Sequence, residues 1–432
     1  MEHLVVTGGG PLEGSVRISG SKNGALPLLA ATLLSDGRCT LTNVPNLTDI
    51  GNLCELLSEV GVSVDRLGPH AISTRVTSEA NSVARYELVS RMRASIYLLG
   101  PLVAKRGFAR VSLPGGCVIG LRPVDLHLKG LRALGAEIEL DHGYIVAKAP
   151  KGRLQGNRVF LGGPMGSSVG ATCNVLMAAV LADGKSVIEG AACEPEVVEL
   201  ANFLNAMGAT IEGIGTPRLV ITGVPSLGGA RQRVIPDRIE AGTYAIAAGM
   251  TGGDVRLEDV RLDHLGAVVD TLEKVGFEFS EPEEDVVRVR CPGPLQPVRT
   301  TTLTYPGYPT DLQSPLIAML TKADGISVVS EKIYPDRFMH LAELQRMGAD
   351  VMKEGSSAVI RGVERLKGTD VDATDLRAGA ALVLAGLVAE GTTRLHKVYH
   401  VDRGYEDFEA KLTGLGANIH REIVSASYKR AA

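Results

Sequence analysis

Tryptophan is absent from this chain, and aromatics make up only 4% of its 432 residues. The cores must therefore be built from Leu, Ile, Val and Ala, which argues against a stacking surface for single-stranded nucleic acid. A dominant charge is missing too: 45 Lys and Arg face 49 Asp and Glu, a formal net charge of −4. Nothing in that balance draws a nucleic acid partner. The six cysteines, Cys39, Cys54, Cys117, Cys173, Cys193 and Cys291, lie far apart with no C-x-x-C pair. That spacing is neither a zinc site nor a disulfide framework, and it fits a reducing cytoplasm. The longest uncharged apolar run, Ala378 to Ala389, has 12 residues, whereas a spanning helix needs about 20, so it reads as a buried helix. The opening MEHLVVTGGG lacks the basic and apolar regions of a signal peptide. No helix pattern follows Gly8 to Gly10 directly, so they are weak evidence for a dinucleotide site. No metal and no cofactor is expected.

Repetition fills the space these absences leave. An amphipathic stretch, a glycine and a strand recur as LLSEVGVSV, LRALGAEIE, LNAMGATIE, LEKVGFEFS, LQRMGADVM and LTGLGANIH, with Gly61, Gly135, Gly208, Gly276, Gly348 and Gly416 spaced 68–74 residues apart. In step with it runs an almost wholly apolar stretch, a turn glycine and a short strand, from LPLLAATLLSDGRCTL to ALVLAGLVAEGTTRL. In the first copy, GSVRISG alternates like a strand, and Ala25 to Leu34 is apolar on every side, which requires burial all round. RCTLTNV is a second strand. Asp49 can cap the next helix, in which Ile50, Leu53, Leu56 and Leu57 recur at helical spacing. VSVDR and HAISTR are two further strands. Each unit thus reads β-α-β-α-β-β, and three units closing around their buried helices make one domain. The expected fold class is α/β (α+β) in two domains, and a linear array would leave its end helices uncovered. The best crossing between the halves is GVPSLGGARQRV, residues 223–234.

What differs among copies carries the chemistry. Helix N-termini attract anions, so the strand-to-helix junctions are the places to look. They are rich in Asp and Ser, which ordinary capping explains for any single residue. Lys22, Arg93, Arg122, Arg337, Arg377 and Arg403 run against that expectation. A cation at a helix N-terminus is electrostatically wrong unless something negative lies between, which points to an anionic ligand with several phosphates or carboxylates. The second copy departs most, with a loop Pro114-Gly115-Gly116-Cys117-Val118-Ile119-Gly120-Leu121-Arg122-Pro123. A glycine-rich loop buries little, and a nearby arginine would stabilise a Cys117 thiolate. The other five cysteines read as small buried hydrophobes.

Taken together, GSKNGALP, the PGGC loop with RPVDLH, SVGAT, EPE, PDRIEAGT, YPGYPTDLQ, DRFMH, TDLRA and DRGYE resemble the UDP-N-acetylglucosamine enolpyruvyl transferases from end to end. The cysteine loop is the specific part, since the sister family acting on shikimate 3-phosphate lacks it. The resemblance implies an inside-out α/β barrel in each domain, with residues 22–233 as one domain and 1–21 plus 234–432 as the other. It implies transfer of the enolpyruvyl group of phosphoenolpyruvate to the 3-hydroxyl of UDP-N-acetylglucosamine in the cytoplasm, the first committed step of peptidoglycan precursor synthesis, with fosfomycin as an inhibitor. By the same likeness, Lys22 and Asn23 hold phosphoenolpyruvate, with Arg122 and Arg403 on its phosphate and carboxylate. Arg93, the stretch Arg122, Pro123, Val124, Asp125 and Leu126, the segment Ser168, Val169 and Gly170, Asp311 and Ile333 contact the nucleotide sugar, with Arg337, Asp375 and Arg377 beside them. Cys117 serves as general acid and Asp311 as base.

Some relatives carry a lysine shortly before SVGAT, where this chain has GPMGSS, so the resemblance leaves the diphosphate contact unassigned. Two other readings compete: a shikimate-type acceptor, against which Cys117 counts, and a nucleotide-sugar binder without turnover, which would have no need of the full set Lys22, Cys117, Arg122, Asp311 and Arg403. The terminal SASYKRAA reads as a frayed tail.

Overall fold

The computed structural model describes residues 2–113 and 124–423. The Pro114–Pro123 loop, with Cys117, Arg122 and Pro123, and the terminal SASYKRAA therefore lie outside the described residues.

Two separate apolar cores organise an α/β fold of two domains. One core is drawn from residues 25–234, the other from residues 4–18 and 239–419. Among the described residues, six four-stranded sheets surround them. The sheet Val83–Ala84, Phe108–Ser112, Tyr144–Lys148, Glu137–Asp141 shows the pattern. Its first two strands pair in parallel, as a helical crossover requires, and the last two form an antiparallel hairpin. Counted along the chain, the third sheet (Arg158–Phe160, Lys185–Glu189, Arg218–Thr222, Thr210–Glu212) and the fifth (Arg299–Thr302, Ile326–Glu331, Ser357–Arg361, Asp350–Glu354) repeat that order.

Between them the helices fall into the two expected kinds. Leu376–Leu387 is buried from Arg377 through Leu387. Thr48–Glu59 buries Ile50, Leu53, Leu56 and Leu57 and keeps a polar face. Close helix packing has local causes: a Cβ on Gly100, in the helix Leu99–Arg106, would stand 2.2 Å from the backbone oxygen of Asn174 in Val169–Ala179. The six repeated glycines all take positive φ, from 86° at Gly135 to 114° at Gly276. Each ends a helix in the left-handed region, where a side chain is strained.

Three strands do not stay with their own units. The strand Glu13–Arg17, which takes in the first four residues of GSVRISG, pairs not with the first sheet but in parallel with Asp254–Glu258 of the fourth. Its place beside Cys39–Thr42 is taken by Arg231–Arg233. The first copy therefore completes its sheet with a strand from the end of the third unit, on its own side of the crossing. The exchange brings two linkers side by side: Ser21 N donates to Ile235 O at 2.7 Å, and Asp237 N to Ser19 O at 2.9 Å. The chain passes between cores on this paired ribbon, just beyond the 223–234 stretch. Glu2–Thr7 stands between Thr392–His396 and Asn418–Ile423, completing the sixth sheet. Further ties join the halves. Arg238 Nε donates to Glu196 Oε1 at 2.9 Å, and Asn46 N to Glu406 Oε1 at 2.6 Å.

Candidate active site

The first buried helix, Lys22–Ala31, begins where the crossing ribbon ends. Ser21 caps it by accepting from Gly24 N, and Lys22 N donates to Asp237 Oδ2 at 3.1 Å. The Lys22 side chain is thereby fixed at the meeting of the two halves, with its ammonium 2.7 Å from Asp49 Oδ2. Arg403, from the sixth unit, reaches the other oxygen of the same carboxylate, with Nε 2.9 Å from Oδ1. Asp49 is 2% exposed. Burial works to raise its pKa, but Lys22 and Arg403 outweigh burial and hold it below the ordinary carboxylate value. Burial also lowers the pKa of Lys22, more than Asp49 raises it.

Asp49 was expected to cap the helix Thr48–Glu59. It does not: that helix has no side-chain cap, and Asp49 lies in its first turn. Two cations compete for the carboxylate with backbone N–H groups, and charge-assisted bonds are the stronger ones.

A second cluster adjoins the first through Asn23. Asn23 Nδ2 lies 3.5 Å from Asp311 Oδ2. Arg337 Nη1 donates to Asp311 Oδ1 at 2.8 Å, and Arg377 Nη2 stands 3.5 Å from Oδ2. Asp311 sits in the short turn Thr310–Leu312 ahead of Gln313–Leu320, and neither element is capped by a side chain. The capping explanation for Asp311 therefore fails. Burial pulls its pKa upward, but Arg337 and then Arg377 pull harder and hold it well below the usual carboxylate range. Asp375 does cap, accepting from Arg377 N at 2.8 Å and Ala378 N at 3.0 Å, and it lies 3.7 Å from Arg337 Nη2. Arg377 is fully buried, with its guanidinium 4.9 Å from the centre of the Tyr405 ring.

Lys22, Asn23, Asp311, Arg337, Asp375, Arg377 and Arg403 are thus brought together. The positive charges at these junctions are balanced within the protein, against the expectation that only an anionic ligand would balance them. Lys22, Arg337, Arg377 and Arg403 each have a carboxylate inside the protein, so a ligand is not needed to explain them. What remains is a dense alternation of charge at a domain junction, with Lys22, Arg337, Arg377 and Asp375 buried and Asp311 and Arg403 part-exposed.

Val124, Leu126, Ser168 and Gly170 form a separate patch, while Cys117, Arg122 and Pro123 lie outside the described residues. Val124 precedes the helix Asp125–Ala133, and Leu126 Cδ1 would lie 3.2 Å from a Cβ on Gly163. Gly163 and Gly166 exchange backbone bonds of 2.8 and 3.0 Å around Pro164 and Met165, a tight turn shortly before SVGAT. Ser168 caps Val169–Ala179, and a Cβ on Gly170 would stand 3.1 Å from His127 Nε2. This patch faces the other domain at Gly166, whose Cβ would stand 2.9 Å from Thr304 Cγ2. Arg93 opens the short helix Arg93–Leu98. Ile333 follows the strand Ile326–Glu331, with its N–H bonded to Glu331 Oε1 at 2.8 Å.

Sequence reasoning missed Asp49 as a counter-ion, Asp237 as the anchor of Lys22 N, and Glu331. Asp237 stands in PDRIEAGT, a motif noticed without a role. Glu331 carries no motif signal at all. Among the other cysteines, Cys39, Cys173 and Cys291 are buried and Cys54 and Cys193 half-buried. Burial pushes the Cys54 thiol up to about 11 and raises those of Cys173, Cys193 and Cys291. Thiols so raised are poor nucleophiles.

Known proteins share this architecture. The family EPSP synthase (3-phosphoshikimate 1-carboxyvinyltransferase) matches residues 6–412. The UDP-N-acetylglucosamine 1-carboxyvinyltransferase of Methylacidiphilum infernorum (isolate V4) is 52% identical over 422 residues, 98% of this chain and 99% of its own. A protein of the same name from Gluconobacter oxydans (strain 621H) is 53% identical over 422 residues, with coverage of 98% and 99%. The enolpyruvyl transferase NikO from Streptomyces tendae matches with a TM-score of 0.89 at 27% identity, over 98% of this chain and 99% of its own. EPSP synthase from Acinetobacter baumannii, at 18% identity and a TM-score of 0.77, over 98% of this chain and 100% of its own, shares the fold.

Proposed function

The chain belongs to the enolpyruvyl transferases, within the UDP-N-acetylglucosamine 1-carboxyvinyltransferases, and from that premise we propose how its residues perform the reaction. The enzyme transfers the enolpyruvyl group of phosphoenolpyruvate to the 3-hydroxyl of UDP-N-acetylglucosamine and releases phosphate, in peptidoglycan precursor synthesis. The observation that carries the residue roles is the shared carboxylate of Asp311, held by Asn23, Arg337 and Arg377 one residue along from the Lys22–Asp49–Arg403 group.

Lys22, Arg122 and Arg403 hold the phosphate and carboxylate of phosphoenolpyruvate, and Asn23 borders it. Asp49 keeps Lys22 and Arg403 within reach of one ligand while that ligand is absent. Asp311 accepts the proton of the 3-hydroxyl as its oxygen bonds to C2 of phosphoenolpyruvate, and Cys117 delivers a proton to the methylene carbon. The resulting tetrahedral phosphate ketal then loses a proton from its methyl group and expels phosphate, restoring the double bond. A carboxylate paired with two guanidinium groups is ionised at any working pH but is a weak base. Proton transfer to Asp311 must therefore accompany C–O bond formation, when the hydroxyl becomes acidic. The patch of Val124, Asp125, Leu126, Ser168, Val169 and Gly170, with Arg93, Pro123, Ile333, Arg337, Asp375 and Arg377, takes the nucleotide sugar.

The domains are residues 22–233 and residues 1–21 with 234–432, and they close over both substrates in the cytoplasm. Phosphate release from phosphoenolpyruvate, with and without UDP-N-acetylglucosamine, tests this reading. Release must depend on the nucleotide sugar, and release without it, or none with it, would refute the assignment. Fosfomycin attaches at Cys117. Mass mapping of the drug-treated protein should find the adduct on that peptide, and labelling at Cys39 or Cys193 instead would remove Cys117 from its role.

A further inference from the structure

Glu331, the last residue of the strand Ile326–Glu331, is fully buried yet forms no salt bridge among the described residues. Four neutral donors surround it. Its Oε1 accepts from Thr302 Oγ1 at 2.6 Å, Ile333 N at 2.8 Å and Tyr334 N at 2.9 Å. Its Oε2 accepts from Thr310 Oγ1 at 2.9 Å. The Thr310 hydroxyl, having donated, accepts from Arg337 Nη1 at 3.1 Å, and the same Nη1 donates to Asp311 Oδ1 at 2.8 Å. A buried carboxylate is costly unless its lone pairs are satisfied, and structural needs at a strand end could be met by a neutral side chain. Here the two oxygens divide the work. One pins the backbone turn that carries Ile333, and the other reaches through Thr310 to the guanidinium that orients Asp311.

We propose that Glu331 is a positioning residue for the transfer, setting the Asp311 carboxylate and the Ile333 backbone in register with each other. The proposal rests on the reading above, in which both residues meet the acceptor sugar. It follows that Glu331 acts on the acceptor side alone, since none of its bonds reaches Lys22, Asp49 or Arg403. Its direction also follows. The Thr310 hydroxyl has one proton, and Glu331 accepts it, which leaves the hydroxyl oxygen free to receive Arg337. An amide nitrogen at the Oε2 position would donate to Thr310 instead and turn that proton elsewhere.

Steady-state kinetics of Glu331→Gln, Thr310→Val and Thr310→Ser test this, with Asp311→Asn as background. Glu331→Gln should lower kcat about 10- to 100-fold, the scale of a small misplacement of a reacting group. It should also raise KM for UDP-N-acetylglucosamine severalfold and leave KM for phosphoenolpyruvate unchanged. Thr310→Val should fall alike, while Thr310→Ser, which keeps the hydroxyl, should stay near the parent. In the Asp311→Asn background, Glu331→Gln should add little further loss, because residues acting through one another are not additive. A Glu331→Gln protein that melts earlier but keeps the parent's kcat and acceptor KM would overturn the proposal, as would equal changes in both KM values. If Glu331→Gln does not fold, the Thr310 pair decides: loss in the valine variant with retention in the serine variant supports the relay, and equal behaviour refutes it. Failure of the parent to release phosphate with the nucleotide sugar would instead strike the functional reading itself.

Discussion

Two carboxylates flank the first turn of the helix Lys22–Ala31, equally hidden from water and opposite in charge behaviour. Asp49 is 2% exposed and Glu199 is 3% exposed. Asp49 touches the ammonium of Lys22 and the guanidinium of Arg403, and its pKa is held low against the pull of burial. Glu199 lies against Gly24, where a Cβ would stand 2.6 Å from its Oε2. Among the described residues, its Oε1 accepts only from neutral donors, Ile235 N at 2.8 Å and Gln232 Nε2 at 3.3 Å, and its Oε2 has no partner. Burial there pushes the pKa up to about 8, with Ile235 N and Gln232 countering too weakly. Burial is common to both, so the partner's charge decides protonation. Asp311 belongs with Asp49. The side of the helix that faces the cations is the one assigned to chemistry, and the side that faces neutral groups supports the domain crossing.

The sharpest break in that comparison is to remove charge without changing shape. Asp311→Asn retains size, and because Asp311 caps nothing, no helix end is exposed. Turnover should fall about 10²–10⁴-fold, the range for losing a general base. Melting should move only a few degrees. Turnover near the parent's would show that the proton of the 3-hydroxyl goes elsewhere.

A smaller effect is expected at the other cationic carboxylate. Asp49→Asn leaves Lys22 and Arg403 sharing a neutral oxygen, losing bonds to a charged group worth about 1.5–3 kcal/mol. That corresponds to a 10- to 100-fold fall in kcat/KM for phosphoenolpyruvate, with KM for the nucleotide sugar nearly unchanged. Equal loss toward both substrates would mean that Asp49 serves the fold and not the phosphoenolpyruvate site.

Much of this was legible in the sequence, and the limits have physical causes. Lys22, Arg337, Arg377 and Arg403 stood out because cations oppose a helix N-terminus, and they do meet at one junction. The repeat announced buried and half-buried helices, since an all-apolar stretch and a striped one differ in sequence. Asp49 was misread because an acidic residue in a first helical turn looks the same whether it caps or pairs with a distant cation. The exchange of Glu13–Arg17 and Arg231–Arg233 was hidden for a related reason. Both are short edge strands with few apolar residues, too few to assign either to its sheet until the linkers pair. Glu331 ends an ordinary strand and gave no sign of being buried.

Glu199 supplies the mildest test, and its sign is fixed by linkage. Its folded pKa, about 8, lies above the ordinary glutamate value of 4.5. Below both values the folded and unfolded chains are equally protonated and Glu199 costs nothing. Between them the folded protein keeps a proton that the unfolded chain releases, so stability falls as pH rises, and the loss is complete above about pH 8. Glu240, raised to about 6 by burial, contributes the same slope only at the acid end. From pH 6 to 8 the slope that separates parent from Glu199→Gln therefore belongs to Glu199. The amide oxygen can still accept from Ile235 N and Gln232, and no proton is left to lose. Denaturant unfolding at a series of pH values should show the parent losing about 2 kcal/mol relative to the variant across that window, at about 1.4 kcal/mol per pH unit and less where the titration saturates. A constant difference between the two proteins from pH 6 to 8 would mean that Glu199 is ionised in the fold. Burial beside Gly24 would then be tolerated without a cation, and the contrast with Asp49 would not rest on charge.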